Sequence, residues 1–405
     1  MRATAVPLVF LLSVGTGHGS PFTVGKLPAV SSVCNYLVTP DAHDPAAWER
    51  DLDGMKAAGF NTAWVVNVWA EFEPSVESGG FSEERLSWLQ GVCQAAAERE
   101  MTVLLVAAYI GEGWGPKGVD VPVWPLVPKH RRQHLEYLRW LARGLSRFDN
   151  VFYLLCTEEI LPGTLLYQPS ERPECIAAFR SWAHRTDPDI RYWNDRWGTS
   201  FTWETLRPAL TSERRTWQTW LDHNRWLSSI MRSVLPPMVE AIREGAPKAV
   251  VGFHDFLLDP ALKQEPQDLP FHAPYPFDFY SIGHYGGHGP ASLEEDMKQL
   301  RTRVELAEDL YPGLPIFCGE VGLDVRLDSP EVTLADEELQ CRWYREALGY
   351  LREKGIGYSI WSWRTVVGGE KSSLSLHRAD GSPRPSLQVI EEINRRDPGR
   401  PAWRK

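Results

Sequence analysis

Two glutamates follow short apolar runs, where a solvated surface carboxylate would be out of place. Glu158 comes after Val151–Cys156 and Thr157, and Glu320 after Pro315–Cys318 and Gly319. Two carboxylates on opposite sides of one cavity can divide a bond cleavage between them. One protonates a departing oxygen, and the other attacks the carbon it leaves. The competing reading makes each glutamate an ordinary rim salt bridge. Other groups able to do or assist chemistry stand at comparable places: Asn35, Trp69, Glu71, Thr157, Glu159, His254-Asp255, His284, Tyr285 and Trp361.

All of these residues stand at or just beyond the ends of apolar runs. Eight such runs read as strands: Val30–Leu37, Thr62–Val68, Met101–Tyr109, Val151–Cys156, Ala249–His254, Phe277–Ile282, Pro315–Cys318 and Gly357–Trp361. Amphipathic segments alternate with them, among them Pro45–Ala58, Ser82–Glu100, Lys129–Phe148, Leu293–Leu310 and Glu337–Lys354. Ser82 has the chemistry of an N-cap. A long, Trp-rich, mostly helical stretch, 171–244, interrupts the alternation after the fourth run. Alternating strands and helices imply parallel βαβ units, and eight units close a (β/α)8 barrel. The expected fold is therefore an α/β TIM barrel with a helical insertion after strand four. An open doubly wound sheet would want a Gly-rich phosphate turn after the first strand, and none is there. A barrel places its active site at the C-terminal ends of its strands, where the residues above fall.

Composition narrows the ligand. The chain has 405 residues, 18 of them Trp, and a net charge of −10. That charge argues against nucleic acid and against anionic membrane surfaces as partners. Flat amphipathic indole rings suit sugar faces, so a neutral carbohydrate fits best. Trp69, Trp197, Trp203, Trp361 and Trp363 fall on loops or strand ends, whereas Trp48, Trp88, Trp140 and Trp343 fall in helices and are expected to pack. The six Cys form no C-x-x-C pair, and no metal spacing is seen. Cys34, Cys156 and Cys318 read as buried thiols. The apolar run 5–14 after Arg2, with small residues at Gly17 and Gly19, reads as a signal peptide over 1–19, with 20–395 as one catalytic domain. A buried first segment is the alternative. The chain is then secreted or periplasmic if the leader is real, and cytoplasmic otherwise.

Several segments resemble the clan A glycoside hydrolases. NVFYLLCTEE resembles their fourth strand, which usually ends in Asn-Glu, and so puts Thr157 on the Asn and Glu158 on the acid/base. PIFCGEVG resembles the seventh strand, ending in the nucleophile, here Glu320. SIGHYGG resembles the sixth, where a Tyr holds the nucleophile, here Tyr285, with His284 beside it. YSIWSW resembles the eighth, with Trp361 as a sugar platform. CIAAFRSW followed by YWNDRWGTSFTWETL is similar to the insertion of family 42 β-galactosidases, and GFNTAWVVNVWAEFEP to that family's second strand.

The resemblance implies a retaining β-glycosidase that uses Glu158 and Glu320, without cofactor or metal. Trp69, Glu71, Thr157, Trp197, His284, Tyr285 and Trp361, with Asn35 added from its strand-end position alone, are the expected sugar contacts. It puts Glu158 rather than Glu159 on the acid. Arg196 reads as a structural salt bridge. Two departures stand out: Thr157 replaces the Asn that meets the sugar 2-hydroxyl, and the family's four-Cys zinc cluster is missing. The family's later domains are also not seen, so β-glycosidase is a safer expectation than β-galactosidase. A catalytically silent glycan-binding barrel, and β-mannosidase, β-glucosidase or endo-glycanase activity, remain the alternatives.

Overall fold

The computed structural model describes residues 31–36, 45–77, 79–109, 115–161, 165, 169–209, 217–255, 277–286, 292–324, 337–364, 374–378 and 380–396. The side chains of 31–36, 158 and 217, and the whole of 1–30, lie outside this description. Eight parallel strands close a barrel in chain order: β1 (Ser31–Tyr36), β2 (Thr62–Val68), β3 (Thr102–Tyr109), β4 (Val151–Cys156), β5 (Val250–Asp255), β6 (Phe279–Gly286), β7 (Ile316–Leu323) and β8 (Gly357–Ile360). β1 pairs with β8 through Ser31–Tyr358, Ser32–Ser359 and Val33–Ile360, so no sheet edge is left open.

Among the described residues, helices occupy the crossovers other than β5–β6, most of which lies outside them. They are α1 (Pro45–Ala57), α2 (Trp69–Phe72), α3 (Glu83–Glu98), α4 (Pro128–Leu145), α5 (Thr157–Ile160), α6 (Pro173–Thr186), α7 (Ile190–Trp197), α8 (Trp217–Gly245), α9 (Leu293–Leu310), α10 (Glu337–Glu353) and α11 (Pro385–Arg396). Ser82 caps α3 as expected, accepting the Arg85 N–H at 3.2 Å. The insertion after β4 consists of α6 and α7 followed by α8, which returns the chain to β5.

Alternation along the strands sorts the side chains into two cores. One set points into the barrel: Trp64, Val66, Leu104, Val106, Phe152, Leu154, Cys156, Val250, Phe279 and Phe317, with Tyr109 and Trp361 partly buried against them. The other set, including Val65, Leu105, Leu155, Tyr280, Cys318 and Val321, packs outward under the helices. Cys93, Cys156, Cys175, Cys318 and Cys341 are buried free thiols.

Two strands run further than their sequence suggested. β6 continues past Ile282 to Gly286, and β7 past Cys318 to Leu323. Glycines at 283, 286, 319 and 322 interrupt the apolar pattern and made both runs look finished. At Gly319 the missing side chain is a packing requirement: a Cβ there would meet Ser281 Oγ at 2.2 Å, His254 Nδ1 at 2.9 Å and Trp64 Cζ3 at 3.0 Å. Glu320 and Tyr285 therefore belong to strands and not to the loops beyond them.

α8 carries Pro236-Pro237 in its interior. Pro237 has no N–H, so the Ser233 carbonyl four residues earlier loses its helical donor. Arg131 of α4 supplies one, through a hydrogen bond from Nη2 to the Ser233 oxygen. Arg131→Leu should pass that carbonyl, which belongs to an exposed residue, from the guanidinium to water. A loss of about 0.5–1 kcal/mol in urea unfolding is expected, with an unchanged m-value. An unchanged urea midpoint would contradict this role.

Candidate active site

Glu320 faces the barrel interior because β7 breaks its own alternation. Opposite β6, Ile282 pairs with Cys318 but Gly283 pairs with Glu320, so Gly319 is an extra residue. The same offset recurs against β8, where Cys318 pairs with Tyr358 and Val321 with Ile360. Phe317 points inward and Cys318 outward, so Gly319 takes the inward place. The bulge lets Glu320 point inward as well, and Val321 resumes the outward face. Bulges re-aim side chains in this way next to functional sites. A second shift, between Val66–Val106 and Val68–Tyr109, brings Tyr109 of β3 against the interior core.

The Glu320 carboxylate is 5% exposed and has defined neighbours. Tyr285 of β6 donates its O–H to Oε2. His254 of β5 places Nε2 at 3.8 Å from Oε1. The other nitrogen, Nδ1, lies 2.7 Å from Ser281 Oγ. Trp64 of β2 meets the His254 ring edge-on, centroids 5.4 Å apart, and meets the Trp361 ring edge-on at 6.4 Å. Tyr285 and Trp361 are half-buried. The interior end of the site is thus an aromatic floor with one carboxylate and a donor for it.

Glu158 stands in α5, the single turn continuing β4, and its side chain lies outside the described residues. Its two neighbours are committed elsewhere. Glu159 is fully buried; its Oε2 accepts the Cys156 N–H at 3.2 Å, and its carbonyl accepts Trp124 Nε1–H at 2.7 Å. Thr157 directs its hydroxyl toward β5, 3.0 Å from Asp255 Oδ1 and 3.2 Å from the His254 carbonyl. Asp255 also accepts the Tyr280 O–H at 2.9 Å. The turn bearing Glu158 is therefore held from below on both sides, and Thr157 faces the outer layer rather than the interior.

Three expected sugar contacts prove to be packing residues. Trp69 is 0% exposed. Its N–H is donated to Glu73 at 2.8 Å, and its ring lies against His134 and Tyr137, because it starts α2 on the outer side of the barrel. Trp197 packs on Phe179 and Trp193 and donates its N–H to Asp222 at 3.0 Å, so it cements the insertion. Asp222 also receives Arg196, at 2.5 Å, the structural salt bridge expected of that arginine. His284 has the outward phase of β6, opposite to Tyr285. It stacks on Trp343 of α10 at 6.0 Å and lies 3.5 Å from Asp296 of α9.

Glu71 is half-buried in α2, and burial pushes its carboxyl upward while Arg85 pulls it back. Asn35 is the fifth residue of β1, opposite Val65, and its side chain lies outside the described residues. Trp363 is also buried, donating to Asp51 of α1 at 3.1 Å. The sequence analysis includes His254 among the candidates but not Trp64, Tyr109 or Ser281. Inward strand phase could have found Trp64 and Ser281, whereas the bulge that brings in Tyr109 leaves no sequence mark. Among the described residues, no group of three His, Cys, Asp or Glu is placed to hold a metal, and no helix is long and apolar enough to cross a membrane.

The glycoside hydrolase family 42 model, described as β-galactosidase, matches residues 164–385, more than half the chain. No curated protein matches the sequence. Solved structures do. The β-galactosidase of the Antarctic haloarchaeon Halorubrum lacusprofundi matches with TM-score 0.67 and 16% identity, over 90% of this chain and 57% of that one. The cold-adapted β-galactosidase of Rahnella sp. R3 matches with TM-score 0.68 and 14% identity, over 93% and 57%. A family 5, subfamily 18 glycoside hydrolase from Streptomyces cattleya, in complex with GlcNAc, matches with TM-score 0.61 and 18% identity, over 91% and 80%. At these identities the likeness is one of fold, and the chain spans only 57% of the length of the two β-galactosidases.

Two buried imidazoles set a pH dependence. Burial pulls both His134, between Trp69 and Trp124, and His254 from 6.5 down to about 3. Each is neutral when folded but takes up a proton near its ordinary value once unfolded. The unfolded chain then binds more protons, so stability present above about pH 6.5 is lost as the pH falls toward 3, by up to about 1.4 kcal/mol per unit per histidine. Urea midpoints measured from about pH 7.5 down to about 5 should decline, and His134→Phe should flatten the decline. Identical slopes in the two proteins would refute the assignment for His134.

Proposed function

The chain belongs to glycoside hydrolase family 42, the β-galactosidase family, and from that premise we propose a retaining β-glycosidase that works by double displacement. Glu320 is the nucleophile and Glu158 the acid/base. The observation that carries this reading is the bulge at Gly319-Glu320, which aims a buried carboxylate into an aromatic-floored barrel and gives it the Tyr285 hydroxyl.

In the first step Glu320 attacks the anomeric carbon while Glu158 protonates the leaving oxygen. In the second, Glu158 deprotonates a water that releases the sugar from Glu320. The two carboxyls must stand about 5–5.5 Å apart for this, against roughly 6.5–9.5 Å in an inverting enzyme. Tyr285 orients Glu320, and its donated hydrogen bond favours the ionised carboxylate needed for attack. Trp361 offers its half-buried face to the sugar ring. Glu159 does not compete for the acid role, since its carboxylate closes the β4–α5 turn.

A β-galactoside is the first substrate to try, given the family and the β-galactosidases of similar fold. Thr157 favours a second reading. Its hydroxyl is engaged by β5, so the 2-position contact supplied by Asn in related enzymes is altered. A β-mannoside preference follows from that reading, and an exo-β-1,4-mannosidase from an Opitutaceae bacterium shares the fold with TM-score 0.56.

The test is hydrolysis of 4-nitrophenyl β-galactoside, β-mannoside and β-glucoside. Glu320→Ala and Glu158→Ala should each lower kcat on the best substrate by at least about a thousandfold, because nucleophile and acid/base are separately indispensable. The first product seen by NMR should be the β-anomer. Wild-type rates in both variants would overturn the reading, and an α-anomer would overturn retention.

A further inference from the structure

We infer that His254 and Ser281 form a positioning pair for Glu320, distinct from the Tyr285 contact. The inference rests on Glu320 being the nucleophile. His254 and Ser281 pair in register on β5 and β6, and both take the inward phase. Ser281 Oγ lies 2.7 Å from His254 Nδ1, and Nε2 faces Glu320 Oε1 at 3.8 Å. The Glu320 carboxylate thus has Tyr285 on one oxygen and the imidazole edge beside the other.

Electrostatics chooses between the two neutral tautomers. If Nδ1 carried the proton, the Nε2 lone pair would face a carboxylate, which is repulsive. If the Ser281 hydroxyl donates to Nδ1, Nε2 carries the proton and its N–H dipole points at Oε1. The second arrangement satisfies both ends. At 3.8 Å the contact is longer than a hydrogen bond, so it acts as a charge–dipole attraction that strengthens as Glu320 recovers its charge on release from the sugar in the second step. The imidazole is fixed by its surroundings: Trp64 lies edge-on to it, and Gly319 leaves the gap that its ring and Ser281 occupy. A side chain at 319 would collide with both partners, so the glycine that makes the bulge also makes room for the pair.

The group stays uncharged while acting. It therefore supplies a donor beside the carboxylate without a buried cation that would stabilise Glu320 too strongly for attack. His254 is thus a positioning residue: it acts through Glu320.

The experiment compares His254→Leu, His254→Gln, Ser281→Ala, Glu320→Gln and wild type. His254→Leu should lower kcat for the best 4-nitrophenyl glycoside by roughly ten- to a hundredfold, with KM changed less than about threefold, since one preorganised donor is lost. His254→Gln, which restores an amide donor, should recover much of the loss. Ser281→Ala should give a smaller fall in kcat with the same split. A second readout does not depend on turnover. In 15N NMR of the full chain, the His254 ring should show the Nε2–H tautomer near neutral pH, and its shifts should move in Glu320→Gln and in Ser281→Ala.

His254→Leu with wild-type kcat, or an Nδ1–H tautomer blind to Glu320→Gln, would overturn the pairing. Wild-type turnover in Glu320→Gln would instead overturn the nucleophile assignment, so the two failures are distinguishable. If none of the glycosides is turned over, the NMR tautomer and its response decide the matter.

Discussion

The inserted residue in β7 is the constraint on which the site depends. A regular strand would place Glu320 on the outward face with Cys318, under the helices, where an ionised carboxylate would be costly and useless. One extra residue reverses the phase. That residue has to be glycine, because the inward side at that level is already filled by Ser281, His254 and Trp64. The bulge is therefore tied to the packing of three other strands, and the Glu320 carboxylate is held by the barrel itself rather than by a loop. β7 resumes its outward phase with Val321, and Gly322 then lets Tyr285 and the Trp361 backbone approach from either side.

The polar residues at the strand ends divide by strand phase into two populations. Inward ones (His254, Ser281, Tyr285, Glu320) converge on one point. Outward ones (Asn67, Asp255, His284) tie the strands to one another and to the helices. Asn67 donates to the Ala107 carbonyl at 3.0 Å, and Asp255 gathers Thr157 and Tyr280. Proximity in sequence says little about membership, since His284 and Tyr285 are neighbours with unrelated tasks. The same division explains the tryptophans. Trp69, Trp197 and Trp363 each bury the ring and give the N–H to a carboxylate, the ordinary solution for a packed indole. Trp64 and Trp361 share the interior with Glu320.

The barrel was legible because its signal is redundant: eight apolar runs, with amphipathic segments between them, are each simple to read. Thr62–Val68, Val151–Cys156 and Leu293–Leu310 were read to the residue. The site was legible where chemistry is rare for its position, as with a glutamate or tyrosine at the end of a buried run. It was illegible where geometry decides. Strand phase beyond Ile282 and Cys318 was hidden by glycines that look like terminators, and a bulge has no residue signature of its own. Trp197 looked like a sugar wall because its partner, Asp222, lies 25 residues away in another helix. Asn35 was named from strand position alone, and its side chain lies outside the described residues.

The turn after β4 shows how a barrel can present a group that it does not itself enclose. α5 is only one turn long, too short to be stable through its own hydrogen bonds. It is fixed instead by what its flanking residues give up. Thr157 spends its hydroxyl on β5, and Glu159 returns its carboxylate to the Cys156 N–H while its carbonyl holds Trp124. Both commitments anchor the turn from the residues on either side of Glu158. Replacing Asn by Thr at 157 keeps this anchoring, because a hydroxyl reaches Asp255 as an outward-facing donor. At 157 the hydroxyl is thus given to holding the turn against β5.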